Sequence, residues 1–90
     1  MIGVYKITNK INRKVYIGSS NNITGRWNKH IKDLDKNKHH CLRLQKDWNN
    51  YNISDFLFSV EELCEENKIY EREQYYLNKY FEKMNYIIQI

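Results

Sequence analysis

Two short segments near the amino terminus limit the fold more than any other feature of this chain. Residues 3–8 and 15–20 each alternate β-branched or aromatic residues with small or polar ones, as half-buried strands do. The polar connection between them, residues 9–14, is short, and strands joined in this way pair as an antiparallel hairpin. The first element of the fold is therefore predicted to be a β-hairpin.

The rest of the chain is predicted to add helices and a further strand. Asn21 and Asn22 offer N-capping oxygens for the first helix, in which apolar residues recur at helical spacing. The predicted elements after the hairpin are, in chain order, a helix over residues 23–36, a helix over 41–50, a strand over 56–60, a helix over 65–81, and an extended segment or short fourth strand over 86–90. This order, ββααβα, indicates an α+β fold in which a small mixed sheet is flanked by helices.

Length and composition favour one domain over residues 1–90. A chain of 90 residues buries only about 60–65% of its unfolded surface, which leaves no room for a second core. Proline is absent, and no linker, repeat or low-complexity segment interrupts the sequence. No run approaches the ~18 apolar residues of a membrane span, and the first residues do not resemble a signal peptide. We therefore expect no contact with a membrane.

The cysteines indicate a reducing compartment. Cys41 and Cys64 stand alone, without a CxxC motif or a disulfide framework. This usage is typical of an intracellular protein and disfavours a zinc finger or ribbon. A disulfide between the two is left open, and free thiols are favoured.

The charges divide unevenly along the chain. The formal net charge is +4, but residues 1–50 hold eleven Lys and Arg against three Asp and Glu, and residues 51–90 hold four against eight. A basic half joined to an acidic one suggests a surface facing nucleic acid beside a group of carboxylates. An A/T-rich coding sequence would also enrich Lys, Asn, Ile and Tyr, and charge alone does not separate the two explanations.

Candidate phosphate-binding residues lie on the hairpin and on the first predicted helix. Gly18, two residues after Tyr16, interrupts a strand, and a glycine there often marks a close approach of the backbone, so a phosphate could lie beside the phenol. Arg26 and His30 are spaced i, i+4 and project from one face of the helix. An arginine at the edge of an apolar stripe can bind a phosphate through two hydrogen bonds. The alternative is an ordinary solvated basic face.

The last predicted helix contains the least ordinary carboxylate. Glu73 falls between Ile69 and Tyr76 on the apolar stripe, whereas Glu71 lies on the solvated face. A buried carboxylate needs an arginine, a set of hydrogen bonds or a metal, because an unpaired buried charge is strongly unfavourable. Glu73 is therefore the candidate functional acid, and a structural ion pair with Arg26 is the alternative.

These residue types together predict metal-assisted hydrolysis of a phosphodiester. Mg²⁺ or Mn²⁺ can be held by one carboxylate, waters and substrate oxygens, and one plausible carboxylate favours a single ion. Arg26 would stabilise negative charge in the transition state. A tyrosine could accept the proton of the attacking water if nearby cations lower its pKa.

The ordered motifs resemble the GIY-YIG nuclease family. Gly3, Val4 and Tyr5 and, after ten intervening residues, Tyr16, Ile17 and Gly18 match its two-part signature, with Val4 in place of the usual isoleucine. The other matching segments are residues 25–30, His39, residues 44–48, residues 71–73 and residues 85–86. The resemblance covers essentially the whole chain and is closest to the catalytic domain of phage- and intron-encoded homing endonucleases.

That resemblance implies a small three-stranded antiparallel sheet flanked by helices and a metal-dependent DNA endonuclease acting on duplex DNA. In this family resemblance, Tyr5 is the general base, Tyr16 orients phosphate and water, and Arg26 binds phosphate. His30 assists proton transfer, and His39 is a further site histidine, for which His40 is the alternative if the alignment shifts by one residue. Glu73 binds the metal, and Asn85 supports the site. Lys14 and Lys29 are predicted nucleic-acid contacts.

Other functions are left open by the sequence. A non-catalytic nucleic-acid-binding module would keep the fold and the basic half, and a repair-type, branch-cutting or RNA-cleaving nuclease would use the same residues. A subunit that associates through its charge asymmetry is a third alternative, although a monomer is favoured. Homing endonucleases carry a separate DNA-binding module, and the sequence does not decide between a stand-alone nuclease and part of a longer chain. The expected location is intracellular, in the host cytoplasm if the chain is phage-encoded.

Overall fold

The computed structural model describes residues 1–84 and contains the predicted hairpin. Strands β1 (Gly3–Asn9) and β2 (Val15–Ser20) pair antiparallel, with Tyr5 opposite Gly18. Because side chains alternate along a strand, the hairpin presents two different faces. Its two tyrosines pack in one hydrophobic cluster, and Val4, Val15 and Ile17 pack in the other.

Strand β3 (Phe56–Leu63) completes an antiparallel sheet in the order β2-β1-β3. The three-stranded antiparallel sheet implied by the family resemblance is confirmed, and the mixed sheet inferred from the element order alone is wrong for the described strands. β2 and β3 run in the same direction, but β1 lies between them, so no parallel pair forms. The predicted extended segment over residues 86–90 lies outside the described residues.

The three predicted helices are present, with shifted boundaries. Helix α1 (Ile23–Asp35) begins after Asn22, whose side chain accepts a hydrogen bond of 3.1 Å from the Gly25 amide. Helix α2 covers Leu42–Asn50, and α3 covers Ile69–Met84 after a short 3₁₀ turn at Glu66–Lys68. The third helix therefore starts later than its pattern predicted. No helix within residues 1–84 is both long and apolar enough to cross a membrane.

The helices cover the two faces of the sheet differently. On one face, α1 and α2 pack over the strands through Leu34, Leu44 and Trp48. On the other face, α3 contributes Tyr76, with Leu77 and Tyr80 packed beside it. Cys41 belongs to the first cluster, and neither it nor Cys64 forms a disulfide. The sheet is thus a middle layer, and both signature tyrosines lie beneath α1 and α2.

A β-bulge next to Tyr5 attaches α3 to the sheet. Val4 pairs with Glu62 but Tyr5 pairs with Val60, so Glu61 is an extra residue on β3. Glu62 receives two hydrogen bonds from Arg72, at 2.7 and 2.9 Å. Glu61 accepts a hydrogen bond of 2.7 Å from Tyr80 and forms an ion pair of 2.9 Å with Lys6. Because of the bulge, two consecutive carboxylates face α3 and anchor it.

The hairpin turn is held by a buried carboxylate on α2. Asp47 Oδ2 accepts a hydrogen bond of 2.8 Å from the Asn9 side chain, and Oδ1 accepts one of 2.8 Å from the Asn12 side chain. Asp47 is only 6% exposed. Asn9 Oδ1 in turn accepts the Ile11 amide at 2.9 Å, so the turn has a fixed shape.

Replacing this carboxylate should loosen the turn and destabilise the fold. Asp47→Ala leaves the side-chain amides of Asn9 and Asn12 without their acceptor in a largely buried place. We expect the free energy of unfolding to fall by about 1–3 kcal/mol in urea denaturation. Glu65→Ala, at an exposed position, is the control and should change it by less than about 0.5 kcal/mol. Equal effects of the two substitutions would contradict this role for Asp47.

Candidate active site

Four elements and one loop bring the predicted site residues together. Tyr5 lies on β1, and Tyr16 and Gly18 lie on β2. Arg26 and His30 lie on α1, and Glu73 lies on α3. His39 and His40 lie in the loop between α1 and α2. Asn85 lies outside the described residues. The site thus joins residues that are up to about three-quarters of the chain apart in sequence.

Gly18 provides the space in which the Tyr5 phenol lies. A Cβ atom at Gly18 would come within 2.5 Å of the Tyr5 hydroxyl oxygen and 2.6 Å of ring carbon Cζ. Any larger residue would therefore displace the ring. The sequence interpretation, a close approach of phosphate, stays a prediction, since the space beside Gly18 holds the phenol.

A buried chain of hydrogen bonds links Tyr5 to the two inner histidines. The Tyr5 hydroxyl lies 2.6 Å from His30 Nε2, and His30 Nδ1 lies 2.6 Å from His39 Nε2. His39 Nδ1 accepts a hydrogen bond of 3.0 Å from the Cys41 amide. His40 is exposed and lies 3.5 Å from the Tyr16 hydroxyl. In this structure His39, and not His40, belongs to the chain that reaches Tyr5.

Both inner histidines are held in the neutral form. Burial is the main cause that lowers the pKa of His30 to about 3, and repulsion from a protonated His39 and from the charge of Arg26 lowers it further. The pKa of His39 is also lowered, by burial and then by His40. The sequence placed His30 at the edge of the apolar stripe of α1, whereas it is 3% exposed. At neutral pH each ring therefore carries a single N–H.

Burial also changes the acidity of the two tyrosines. It raises the pKa of Tyr5 to about 12, against the lowering influence of Arg26, while the negative charge of Glu73 raises it further. The pKa of Tyr16 is raised as well, first by burial and then by the Tyr5 phenol. The condition named from the sequence, a tyrosine pKa lowered by nearby cations, is not met in the net value, since burial outweighs the lowering by Arg26.

Arg26 presents its charge at the surface of the site. It is exposed, yet its charge influences both phenols and His30. Within residues 1–84 it forms no ion pair with Glu73, which removes that structural alternative for the described side chains. Lys14 is exposed, and Lys29 forms an ion pair of 3.3 Å with Asp33. A phosphate can therefore reach Arg26 from solvent.

Glu73 is held at the site by Ser19, from the strand that also carries Tyr16. The Ser19 hydroxyl donates to Glu73 Oε1. Glu73 is partly buried and Glu71 is exposed, which agrees with the choice between them made from the helical pattern. Oε2 has no hydrogen-bond partner within the described residues. A carboxylate with one fixed and one open oxygen suits Mg²⁺ or Mn²⁺, which complete their coordination with water and phosphate oxygens.

No larger metal cage is present in the described part of the chain. No group of three or more His, Cys, Asp or Glu residues there is arranged to hold an ion. The carboxylate of Glu73 is the kind of oxygen ligand that Mg²⁺ and Mn²⁺ accept together with water and substrate oxygens.

Two polar residues of the site were missed in the sequence. Ser19 directly follows the signature glycine and, two residues after Ile17, lies on the α3 face of the sheet. Gln45 is 6% exposed and accepts a hydrogen bond of 3.0 Å from the His39 amide. Its signal was available, because it lies between Leu44 and Trp48 on the buried face of α2, as Glu73 lies between apolar residues on α3. Ser19 gave no such signal.

The chain matches known proteins over nearly its whole length. A family model described as the GIY-YIG catalytic domain matches residues 1–86. Intron-associated endonuclease 1 of Enterobacteria phage T4 is 36% identical over 84 residues, which are 92% of this chain and 34% of that protein. The chain thus spans about a third of the length of this curated relative.

Two solved structures have the same fold. The catalytic domain of homing endonuclease I-TevI matches with a TM-score of 0.84 and 35% identity over 98% of both chains. A glutamate-to-alanine mutant of the catalytic domain of intron endonuclease I-TevI gives a TM-score of 0.81 and 35% identity, over 93% of this chain and 88% of the other.

The neutral histidines should make stability depend on pH. Between pH 6.5 and about 3 the unfolded His30 binds a proton and the folded one does not, so stability falls as pH falls. The charged or titratable groups around it are Tyr5, Tyr16, Arg26, Asp33, His39 and His40. His30 alone contributes a slope of about 1.4 kcal/mol per pH unit.

Urea denaturation of the protein and of His30→Gln between about pH 4 and pH 7 checks this expectation. The variant should be less stable at neutral pH but should lose less stability on acidification, because glutamine does not titrate. Carboxylates that do not interact with His30 contribute equally to both proteins and cancel in the comparison, and Asp33, whose pKa His30 helps to lower, is the exception. Parallel pH profiles would show that His30 is not held neutral.

Proposed function

Because the chain belongs to the GIY-YIG family and has the fold of a homing-endonuclease catalytic domain, we propose that it hydrolyses phosphodiester bonds of duplex DNA with one bound Mg²⁺ or Mn²⁺ ion. The observation that carries the proposal is the convergence on Tyr5 of a buried histidine, an exposed arginine and a carboxylate from the opposite face of the sheet. A base, a phosphate anchor and a metal ligand are the parts that such a reaction needs.

Tyr5 is the group that accepts a proton from the attacking water. Its pKa of about 12 means that it is a phenol at neutral pH, so the phenolate has to be favoured in the reaction. The positive charge of Arg26 favours it, and Glu73 opposes it. Burial and the charge of Glu73 are the two causes that raise the pKa of Tyr5. Any positive charge that neutralises Glu73 therefore removes one of them.

Arg26 and Tyr16 act on the phosphate. The exposed guanidinium of Arg26 can bind two phosphate oxygens and stabilise the negative charge that grows in the transition state. Tyr16 is 3% exposed and keeps its proton, because its pKa is raised. Its hydroxyl is therefore suited to donate a hydrogen bond that orients the phosphate and the water.

Glu73 is the residue that would hold the ion, with Ser19 fixing its Oε1. When bound, the ion supplies positive charge against the phosphate and the leaving oxygen. Because Glu73 stands on α3, its position depends on the Arg72–Glu62 contact at the bulge.

The basic first half of the chain suits DNA as the partner. Lys14 and Lys29 are proposed contacts to the phosphate backbone, which would make binding sensitive to salt. We propose that the domain acts as a monomer inside the cell, in the host cytoplasm if the chain is phage-encoded, where its two cysteines, which form no disulfide, are kept reduced.

Glu73→Ala should remove metal-dependent cleavage while leaving DNA binding in place. We expect the rate of plasmid nicking with Mg²⁺ or Mn²⁺ to fall at least about a hundredfold, because transition-state charge is left unbalanced. The matched control is Glu71→Ala, two residues away and exposed, which should nick at close to the normal rate. A non-catalytic binding module would show no metal-dependent nicking in any of the three proteins.

Tyr5→Phe removes the hydroxyl of Tyr5 and keeps its ring, so it tests the two separately. The phenyl ring still fills the space beside Gly18, so the fold should persist, but the base and its bond to His30 are lost. We expect the cleavage rate to fall by about 10²–10⁴. Tyr75→Phe, at a half-exposed position of α3, is the control. Cleavage by Tyr5→Phe at the control rate would exclude Tyr5 as the base.

A further inference from the structure

The direction of the buried hydrogen-bond chain is fixed by one backbone amide. A backbone N–H only donates, so His39 Nδ1, which receives the Cys41 amide, carries no proton. The neutral His39 ring therefore has its proton on Nε2 and donates it to His30 Nδ1. His30 then carries its own proton on Nε2, and that proton points at the Tyr5 oxygen. Each ring has one tautomer that satisfies every contact.

Gln45 holds the backbone that supplies this amide. Its Oε1 accepts the His39 amide at 3.0 Å, and its Nε2 donates at 3.0 Å to the Leu34 carbonyl oxygen at the end of α1. Both ends of the side-chain amide are therefore fixed, and they join the last turn of α1 to the loop that carries the histidines. Its own backbone N–H bonds to the Cys41 carbonyl oxygen at 3.0 Å.

We propose that Gln45 is a positioning residue. By holding the His39–Cys41 backbone, it sets both inner histidines as Nε2–H tautomers. His30 is thereby a hydrogen-bond donor to the Tyr5 oxygen. Gln45 touches neither substrate nor metal and acts through His39 and His30. Its link to cleavage rests on the proposed function, whereas the tautomers do not depend on it.

The tautomers decide where the Tyr5 proton goes. With an N–H of His30 on one lone pair, the Tyr5 oxygen cannot give its proton to His30 in the resting state. The hydroxyl proton must point away from α1 and pass to a water molecule on that side of the ring, and not to His30. The same N–H stabilises the phenolate once that proton has gone. His30 thus supports the base as a hydrogen-bond donor and does not itself take the Tyr5 proton, which specifies the assistance to proton transfer that the family resemblance implies for His30.

Nuclear magnetic resonance can identify the tautomers of His30 and His39 directly. In protein labelled with ¹⁵N-histidine, two-bond ¹H–¹⁵N spectra distinguish Nε2–H, Nδ1–H and doubly protonated rings, and the chain has three histidines to assign. At neutral pH we expect His30 and His39 as Nε2–H tautomers. A Nδ1–H tautomer or a charged ring at either residue overturns the proposal, whatever any variant does.

Gln45→Met tests the positioning role, since methionine is similar in length but makes none of the three side-chain hydrogen bonds of Gln45, to the His39 amide, the Leu34 carbonyl oxygen and Asn49 Oδ1. We expect His39 to show mixed tautomers and cleavage of plasmid DNA with Mg²⁺ to slow about tenfold to a hundredfold. Gln45→Glu keeps an acceptor for the His39 amide and should retain the His39 tautomer. Asn50→Ala, exposed on the same helix, is the control and should change neither measurement.

The outcomes separate this proposal from the proposed function. If Gln45→Met folds and leaves both the His39 tautomer and the rate unchanged, Gln45 has no positioning role. If Gln45→Met does not fold, a Nδ1–H tautomer or a charged ring at His30 or His39 in the unmodified protein, or a changed His39 tautomer in Gln45→Glu, still overturns the proposal. If the unmodified protein has the expected tautomers but cleaves no duplex DNA with Mg²⁺ or Mn²⁺, the proposed function fails and the tautomer assignment stands.

Discussion

The buried hydrogen bond between the Tyr5 hydroxyl and His30 Nε2 is the contact on which the rest of the site depends. It joins the central strand to the first helix across the face of the sheet, at 2.6 Å and with Tyr5 only 1% exposed. Gly18, on the neighbouring strand, leaves space for the Tyr5 phenol. Trp27 packs edge-on against the phenol ring, with 6.1 Å between the ring centroids. Because both polar groups are buried, either would be costly to leave unpaired.

Glu73 reaches the same site from α3, on the opposite face of the sheet. The bulge after Val4 turns two successive carboxylates of β3 towards α3, where Arg72 and Tyr80 bind them. Ser19 then fixes Glu73 from the other edge of the sheet. A register shift of one residue beside Tyr5 therefore helps to place the candidate metal ligand, in keeping with the frequent occurrence of bulges next to active sites.

Burial has opposite consequences for geometry and for reactivity at Tyr5. It fixes the phenol and keeps the histidines neutral, but it also raises the pKa of the phenol to about 12. The charge of Arg26 and, in the proposed tautomer, the N–H of His30 act against that rise and favour the phenolate that the proposed reaction needs. If Tyr5 is the base, as proposed, it is rigidly placed but weakly ionised at rest.

The sequence by itself determined the hairpin, the helical segments and the choice of the main candidate site residues. Strand alternation and a short connection leave little choice of pairing for residues 3–20, and an acid on an apolar stripe distinguishes Glu73 from Glu71, because these are local periodicities. Only the tertiary structure decided the net acidity of Tyr5, the partners Ser19 and Gln45, and the direction of the histidine chain. Those properties arise from burial and from contacts between segments distant in sequence, which no local pattern records.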